Sequence, residues 1–361
     1  MRFTLLRLVV HTMRLVFGRR TRISAAPQRV LFICEDAIGD LVLTLPAMRA
    51  IAESHPGTTV DLVTSEYAVD LVRHLPYIRR VIVFPRYDSH RVRAAFRILR
   101  HGAYDVVVDG MVLRSHVRTR SVAMMVGSRA SIWIGEAGRT NDHVYSILVP
   151  RSEPSTQHAE RMLQLARPFL DASVPVATRP HLELTAAEIG NASATWVSAR
   201  GSGDRILVNL SASCWQRRWP DEKFAEVLDQ MRAFRPSAPM IIVGLQKDAE
   251  SVTTLASRTS ALAAIPSLRE LMALIATAHV VLSPDTAVCH MAAAFQRTLI
   301  SLNLRDHESW ATAPTPGVRV IGPDDETFEG LEPSVVIEAV AQVLGARRAR
   351  FVSADYFAAP V

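Results

Sequence analysis

The sequence predicts an α/β chain of two doubly wound domains. Short apolar runs alternate with segments of helical periodicity along most of its length, the pattern of a mostly parallel, right-handed sheet. That alternation restarts at Ile206-Leu207-Val208-Asn209-Leu210, after a stretch rich in Pro, Ala and Val, and the restart marks a second domain. A length of 361 residues, 49% of them hydrophobic and 21% charged, is enough for two cores.

In the first half, Arg29 to Cys34 is a continuous apolar strand, Glu35 to Asp40 a turn, and Leu41 to Ser54 a helix with Pro46 in its first turns. Only Gly39 lies in that turn, so there is no G-x-G-x-x-G fingerprint, and a nicotinamide oxidoreductase loses support. Strands at 60–63, 81–84 and 104–109 then alternate with helices at 67–74 and 92–100. A helix over 119–126, strands near 132–135 and 145–149, and a helix over 158–170 complete the half.

The second half carries strands at 206–210, 240–244, 278–282, 298–302 and 318–321. Helices are expected at 221–234 and 268–278, in the Ala-rich run after Thr286, and at 333–344. The boundary falls between about 180 and 204. The expected division is a basic amphipathic segment at 1–28, domains at 29–185 and 200–345, and a tail at 346–361. No repeat of solenoid period and no low-complexity tract is present.

The formal net charge is +6, but Arg2, Arg7, Arg14, Arg19, Arg20 and Arg22 lie in the first 28 residues with no acidic residue. Without them the chain has 35 basic and 35 acidic residues, which gives no support for a nucleic-acid-binding body. His11 and Arg14 interrupt the apolar run of that segment, making it too short and too charged to span a bilayer. It reads as a basic amphipathic helix lying on an anionic membrane surface through residues 1–24, with a solvated extension as the alternative. Cys34, Cys214 and Cys289 are odd in number and far apart; they form no disulfide framework or CxxC pair and fit a reducing compartment.

Ligands of doubly wound sheets lie beyond the carboxyl ends of the strands, so the turns there carry the candidate residues. Asp40 follows Gly39 in the first turn, where a carboxylate can accept a proton from a bound hydroxyl or cap the helix. Arg114, His116, Arg118 and Arg120 follow a strand and can grip an anionic acceptor or form a solvated basic face. Ser211 to Ser213 allow close ligand approach, and Arg217 and Arg218 can make forked contacts to phosphate. The loop Leu245 to Glu250 suits a nucleoside. Ser283 to His290 is a strand end, a turn and a helix start, an arrangement that aims backbone N–H groups and a dipole at one spot suited to phosphate.

In this order and spacing, RVLFICEDAIGDLVLTLPAMRAI, YDVVVDGMVLRS, RRWP, IIVG and SPDTAVCHMAAAF resemble glycosyltransferase family 9, the bacterial lipopolysaccharide heptosyltransferases. The likeness runs from about Arg29 to Leu344. It implies a GT-B architecture, two facing Rossmann-like domains with a cleft between them, the acceptor held by the first and the nucleotide sugar by the second. It also implies inverting transfer of a heptose or related sugar from an ADP-activated donor to a lipopolysaccharide core or other cell-envelope glycan, with no cofactor and no required metal. The resemblance makes Asp40 the general base and Arg217, where lysine is usual, a catalytic and donor-binding cation. Ser211, Ser213, Asp248, Asp285, Thr286 and Ala287 are the other donor-side residues, Ala287 standing where glycine is usual. Gly39, Arg114, His116 and Arg118 are the acceptor-side residues. The partners expected are a nucleotide sugar, a glycolipid or glycan acceptor and the anionic inner-membrane surface, with no nucleic acid; the location expected is cytoplasmic, peripheral to the inner membrane. Two other readings stand beside this one: a catalytically silent nucleotide-binding or scaffold protein, and a sugar-nucleotide epimerase or hydrolase on the same fold.

Overall fold

The structure is a computed structural model and describes residues 22–23, 26–84, 89–112, 115–153, 156–171, 175–212, 214–304, 316–322 and 327–351. Arg114, Ser213, residues 1–21 of the basic segment, residues 305–315 and residues 352–361 of the expected tail lie outside the described residues. The chain forms two compact units, which divide between Glu183 and Leu184.

The first unit holds β1 (Arg29–Ile33), β2 (Thr59–Thr64), β3 (Ile78–Val83), β4 (Val106–Asp109), β5 (Ile132–Glu136) and β6 (Ile147–Val149). Their order is β3-β2-β1-β4-β5-β6, and every pairing is parallel. The second unit repeats the plan with β7 (Ile206–Asn209), β8 (Met240–Val243), β9 (Leu262–Ala264), β10 (Val280–Pro284), β11 (Thr298–Asn303) and β12 (Gly317–Ile321). Its order is β12-β11-β10-β7-β8-β9, again all parallel. Counted within its own unit, each sheet therefore reads 3-2-1-4-5-6. Central strands β1, β4, β7, β8 and β10 are buried along their whole length or all but one residue, as helices on both faces of a parallel sheet require.

This topology fixes where a site can form. Strand order reverses between β1 and β4 in one unit and between β7 and β10 in the other, and the loops leaving those strands part to opposite faces. The turn with Asp40 follows β1, and His116 and Arg118 follow β4; Arg217 follows β7, and Asp285 follows β10. At the first switch point the strands approach closely. A Cβ on Gly110 would lie 2.5 Å from the Phe32 ring and 2.8 Å from the Ile33 carbonyl oxygen, so only glycine fits beside β1 there.

Several elements differ from the sequence reading. The first helix spans Ile38–Glu53, which puts Asp40 inside its first turn. The segment after β2 is a short 3₁₀ turn with the helix Val69–Val72, ending before Pro76. Pro168 stops the helix His158–Gln164 from continuing to 170. The loop after β8 is a 3₁₀ turn, Gln246–Asp248, running into the helix Ala249–Arg258. The last helix, Pro333–Phe351, continues into the expected tail, where Ala346, Arg347 and Arg348 are good helix formers.

The expected linker contains a helix, Ala186–Ser198, that belongs to the second unit. Thr185 and Glu188 form its capping box, and Glu188 is also gripped by Arg269, with Nε and Nη2 each 2.6 Å from a carboxylate oxygen. Arg269 belongs to the helix Leu268–Thr277, against which this helix packs. Arg269 chiefly, then the Thr185 N–H and hydroxyl, lowers the Glu188 pKa from 4.5 to about 2. A lowered carboxylate pKa stabilises the fold above the unfolded value and loses that contribution as pH falls through the folded value. Glu188→Gln is therefore expected to melt below wild type at neutral pH, and the gap in Tm is expected to close between pH 4.5 and about 2. A gap constant over that range, measured by thermal melts, would show that the pair contributes nothing through its charge.

Candidate active-site residues

In the second unit, Asn209 at the end of β7 organises the switch point. Its Nδ2 donates to the Ser211 carbonyl at 3.2 Å, to Ser283 Oγ at 3.0 Å and to Thr286 Oγ1 at 3.4 Å. Its Oδ1 accepts from the Ser211 N–H and hydroxyl at 3.2 and 2.7 Å. One buried amide thus ties the turn after β7 to the turn after β10. Thr286 caps the helix Ala287–Ala294 by accepting from the Val288 N–H at 3.3 Å. Ala287 takes the first helical position and is not among the residues with positive φ, so its Cβ brings no backbone strain.

The two adjacent arginines have different surroundings. Arg217 directs Nη1 to within 3.6 Å of Asp285 Oδ2, an oxygen that is buried and accepts no hydrogen bond among the described residues. Arg218 faces the fold: it pairs with Asp248, donates to Asp221 Oδ1 at 2.8 Å and to Ser251 Oγ at 2.9 Å. The next residue, Trp219, is fully buried, stacks edge-on against Phe224 at 4.9 Å between ring centroids and donates to the Leu331 carbonyl. This anchor fixes the turn that carries Arg217. Lys247 adds a further tie, reaching the Ala212 carbonyl at 3.0 Å.

Asp248 is 4% exposed, and besides Arg218 it accepts from the Leu245 N–H at 3.1 Å. The structure therefore gives its carboxylate an internal role, pinning the loop after β8 to the RRWP turn. Gly244 makes that fold-back possible, since a Cβ there would lie 2.8 Å from Val252 Cγ2 and 3.0 Å from Asp248 Cβ.

His290 stands one helical turn beyond Thr286, buried, with no hydrogen-bond partner for Nδ1 among the described residues. Burial holds its pKa down, opposed by the Asp285 charge and reinforced by Arg217, so the imidazole is neutral at physiological pH. Cys289 donates to the Pro284 carbonyl at 3.2 Å, and its thiol pKa is pushed up to about 12 by burial and then by Asp285. That thiol is packing and not a nucleophile. The sequence reading gave His290 no role of its own and missed Asn209, which carries no signal beyond its place at the end of an apolar strand.

In the first unit, the half-buried Asp40 is the third residue of its helix. Its Oδ2 accepts from the Ala37 N–H at 3.1 Å, and its carbonyl accepts from the Thr44 hydroxyl at 2.7 Å. Capping and a position at the mouth of the switch point thus coexist in one side chain. Gly39 is buried beside it, His116 is exposed, and Arg118 is half-buried at the start of the helix Thr119–Ser128. Arg120 is committed elsewhere: it forks onto Glu35 at 2.8–3.0 Å and lies over the Phe84 ring, 4.6 Å from its centroid. Among the described residues no group of three or more His, Cys, Asp or Glu is arranged to hold a metal ion.

Two parallel six-stranded sheets of one doubly wound topology give the chain the GT-B fold. Residues 92–315 match the model of glycosyltransferase family 9 (heptosyltransferase), and the chain belongs to that family. It is 26% identical over 295 residues to lipopolysaccharide heptosyltransferase 1 of Pseudomonas aeruginosa, a match covering 76% of this chain and 78% of that protein. The family 9 glycosyl transferase of Veillonella parvula shares the fold with a TM-score of 0.76 at 15% identity, over 91% of this chain and 100% of the other. Escherichia coli heptosyltransferase WaaC with ADP-2-deoxy-2-fluoro heptose superposes with a TM-score of 0.65 at 19% identity, over 87% and 99% of the two chains.

Proposed function

We propose that the protein transfers a heptose or related sugar, with inversion and without a metal or other cofactor, from an ADP-activated donor to a lipopolysaccharide core or similar envelope glycan. The observation that carries this reading is the cluster in the second unit: Arg217, Asp285, Thr286 and the start of the helix Ala287–Ala294, held together through Asn209. A cation and first-turn N–H groups suit a diphosphate whose charge grows as the sugar departs. Asp40 takes the proton of the acceptor hydroxyl as it attacks the anomeric carbon from the face opposite the leaving group. Arg114 and Arg118 supply positive charge, and His116 a hydrogen-bonding ring, to grip an anionic acceptor. The helical backbone at Ala287 supports an active enzyme over a silent relic, because the missing glycine is not needed for positive φ. The likeness to lipopolysaccharide heptosyltransferase 1, and to a heptosyltransferase solved with an ADP-heptose analogue, supports the choice of sugar and nucleotide. We place the protein in the cytoplasm, with residues 1–24 on the anionic inner face of the inner membrane.

A thermal-shift panel of ADP-, GDP- and UDP-sugars tests the donor. An ADP-sugar at a hundred times its Kd is expected to add about 2.7 kcal/mol of stability, with no shift from GDP- or UDP-sugars. A panel in which only UDP-sugars shift the melt would overturn the nucleotide assignment. Sugar release from the donor without acceptor, at the rate seen with acceptor, would favour a hydrolase.

A further inference from the structure

The helix Ser89–His101 of the first unit carries a surface that glycosyl transfer does not use. Its core face is Val92, Ala95, Phe96 and Leu99, which pack into the cluster with Leu31, Ile82 and Val107. The outer face carries four arginines and two histidines, and the helix contains no acidic residue. Arg91 pairs with Glu66 at 3.1 Å. Arg93, Arg97 and Arg100 are exposed, and none of them is paired with a carboxylate among the described residues. Spacings of four and three residues put these three on one flank of the helix, along roughly 10 Å of its axis. Three like charges in a row repel one another, a cost that the helix dipole beside Arg100 offsets only in small part, so the stripe suits an anionic surface outside the fold.

The position of the helix says which surface. The N–H groups of Gln28 and Arg29 donate to Asp105 Oδ2 at 2.8 and 3.0 Å, and Arg29 Nη1 donates to the Gly102 carbonyl at 3.1 Å. The chain that follows the N-terminal segment is therefore fastened to the turn directly after this helix. The segment mixes arginines with Leu, Val and Phe, a composition that binds lipid through both charge and apolar burial. Exposed Ile98 and Ala94 lie on the same helix as the stripe. Outside the N-terminal segment the acidic and basic residues balance, which does not favour a nucleic-acid partner.

We propose that Arg93, Arg97 and Arg100 form a second membrane-contact surface, which binds anionic phospholipid headgroups beside the N-terminal segment and orients the first unit on the bilayer. This rests on the reading of residues 1–24 as a membrane-lying segment and not on the transfer chemistry, because it concerns neither Asp40 nor Arg217.

The test is co-sedimentation of the full chain with vesicles of neutral phosphatidylcholine or of phosphatidylcholine with 30% phosphatidylglycerol. A basic residue near an anionic surface is worth about a fivefold gain in partitioning, so three are worth on the order of a hundredfold. Arg93→Gln/Arg97→Gln/Arg100→Gln is expected to lose about that factor on the anionic vesicles, with no change on the neutral ones and an unchanged melting temperature. The corresponding triple Lys variant keeps the charge and is expected to bind within a few-fold of wild type. Deleting residues 1–26 is expected to weaken binding further, with the triple Gln effect persisting in the deleted chain. Wild-type partitioning by the triple Gln variant overturns the proposal, as does equal loss by the Lys and Gln triples. A loss confined to binding of double-stranded DNA, with vesicle binding unchanged, assigns the stripe to nucleic acid and also overturns it.

Discussion

Replacing Asp40 by Asn is expected to lower kcat by about 10²–10⁴-fold while leaving donor affinity within about twofold. The amide oxygen of Asn can still accept the Ala37 N–H, now 3.1 Å from Asp40 Oδ2, so the helix start survives. What disappears is the capacity to take a proton. Asp40→Ala removes both functions, and its additional cost is the lost cap, about 1 kcal/mol of stability. The two variants therefore separate the roles that the structure joins in one side chain. Both are expected to lose turnover to that extent, and only the Ala variant is expected to melt earlier. Calorimetry with the donor and steady-state turnover with an envelope acceptor are the measurements. Full turnover by Asp40→Asn would exclude the proton-acceptor role.

Why the sequence is a good guide to some of this and a poor guide to the rest follows from the physics of particular residues. The strands are legible because buried parallel strands are continuous apolar runs, as in VLFI after Arg29 and VVL after His279. Once strands are placed, the doubly wound topology puts Asp40 and Asp285 at strand ends without further information. The helix Ala186–Ser198 is harder to read. Only Ala192 and Trp196 of it are buried, so its apolar periodicity is weak, and its one clear signal is the T-x-x-E capping box. The arginine pair is illegible for another reason. Arg217 and Arg218 are identical in type and adjacent, and what distinguishes them is the burial of Trp219 and the carboxylates of Asp248 and Asp221, which come from elsewhere in the fold. The pairing of Asp248 with Arg218 is invisible in the sequence because the two lie 30 residues apart. His290 is concealed in an Ala-rich helix, and the fact that singles it out, a buried ring nitrogen without a partner among the described residues, exists only in three dimensions.

The contrast between the two arginines yields the second large effect. Arg217→Ala is expected to lower kcat by 10²–10³-fold, the usual cost of removing one group that stabilises charge developing in a transition state. The leaving diphosphate gains charge as the glycosidic bond breaks, so the loss falls more on kcat than on donor affinity. The stability cost is expected to be smaller than that of Arg218→Ala, because Arg217 meets Asp285 at 3.6 Å, whereas Arg218 hydrogen-bonds Asp248, Asp221 and Ser251. Arg217→Lys keeps the positive charge but loses the fork and some reach, so its activity should lie between wild type and the Ala variant. Arg218→Ala should behave in the opposite way. It leaves the Asp248 carboxylate buried without its cation, a change that typically costs about 3–5 kcal/mol, and it should lower the melting temperature well below that of Arg217→Ala. Turnover and thermal melts of these variants distinguish a charge aimed at the substrate from a charge built into the fold. If Arg217→Ala and Arg218→Ala lose activity and stability in the same proportion, Arg217 is structural as well, and the diphosphate must be held by the helix start at Ala287 without it.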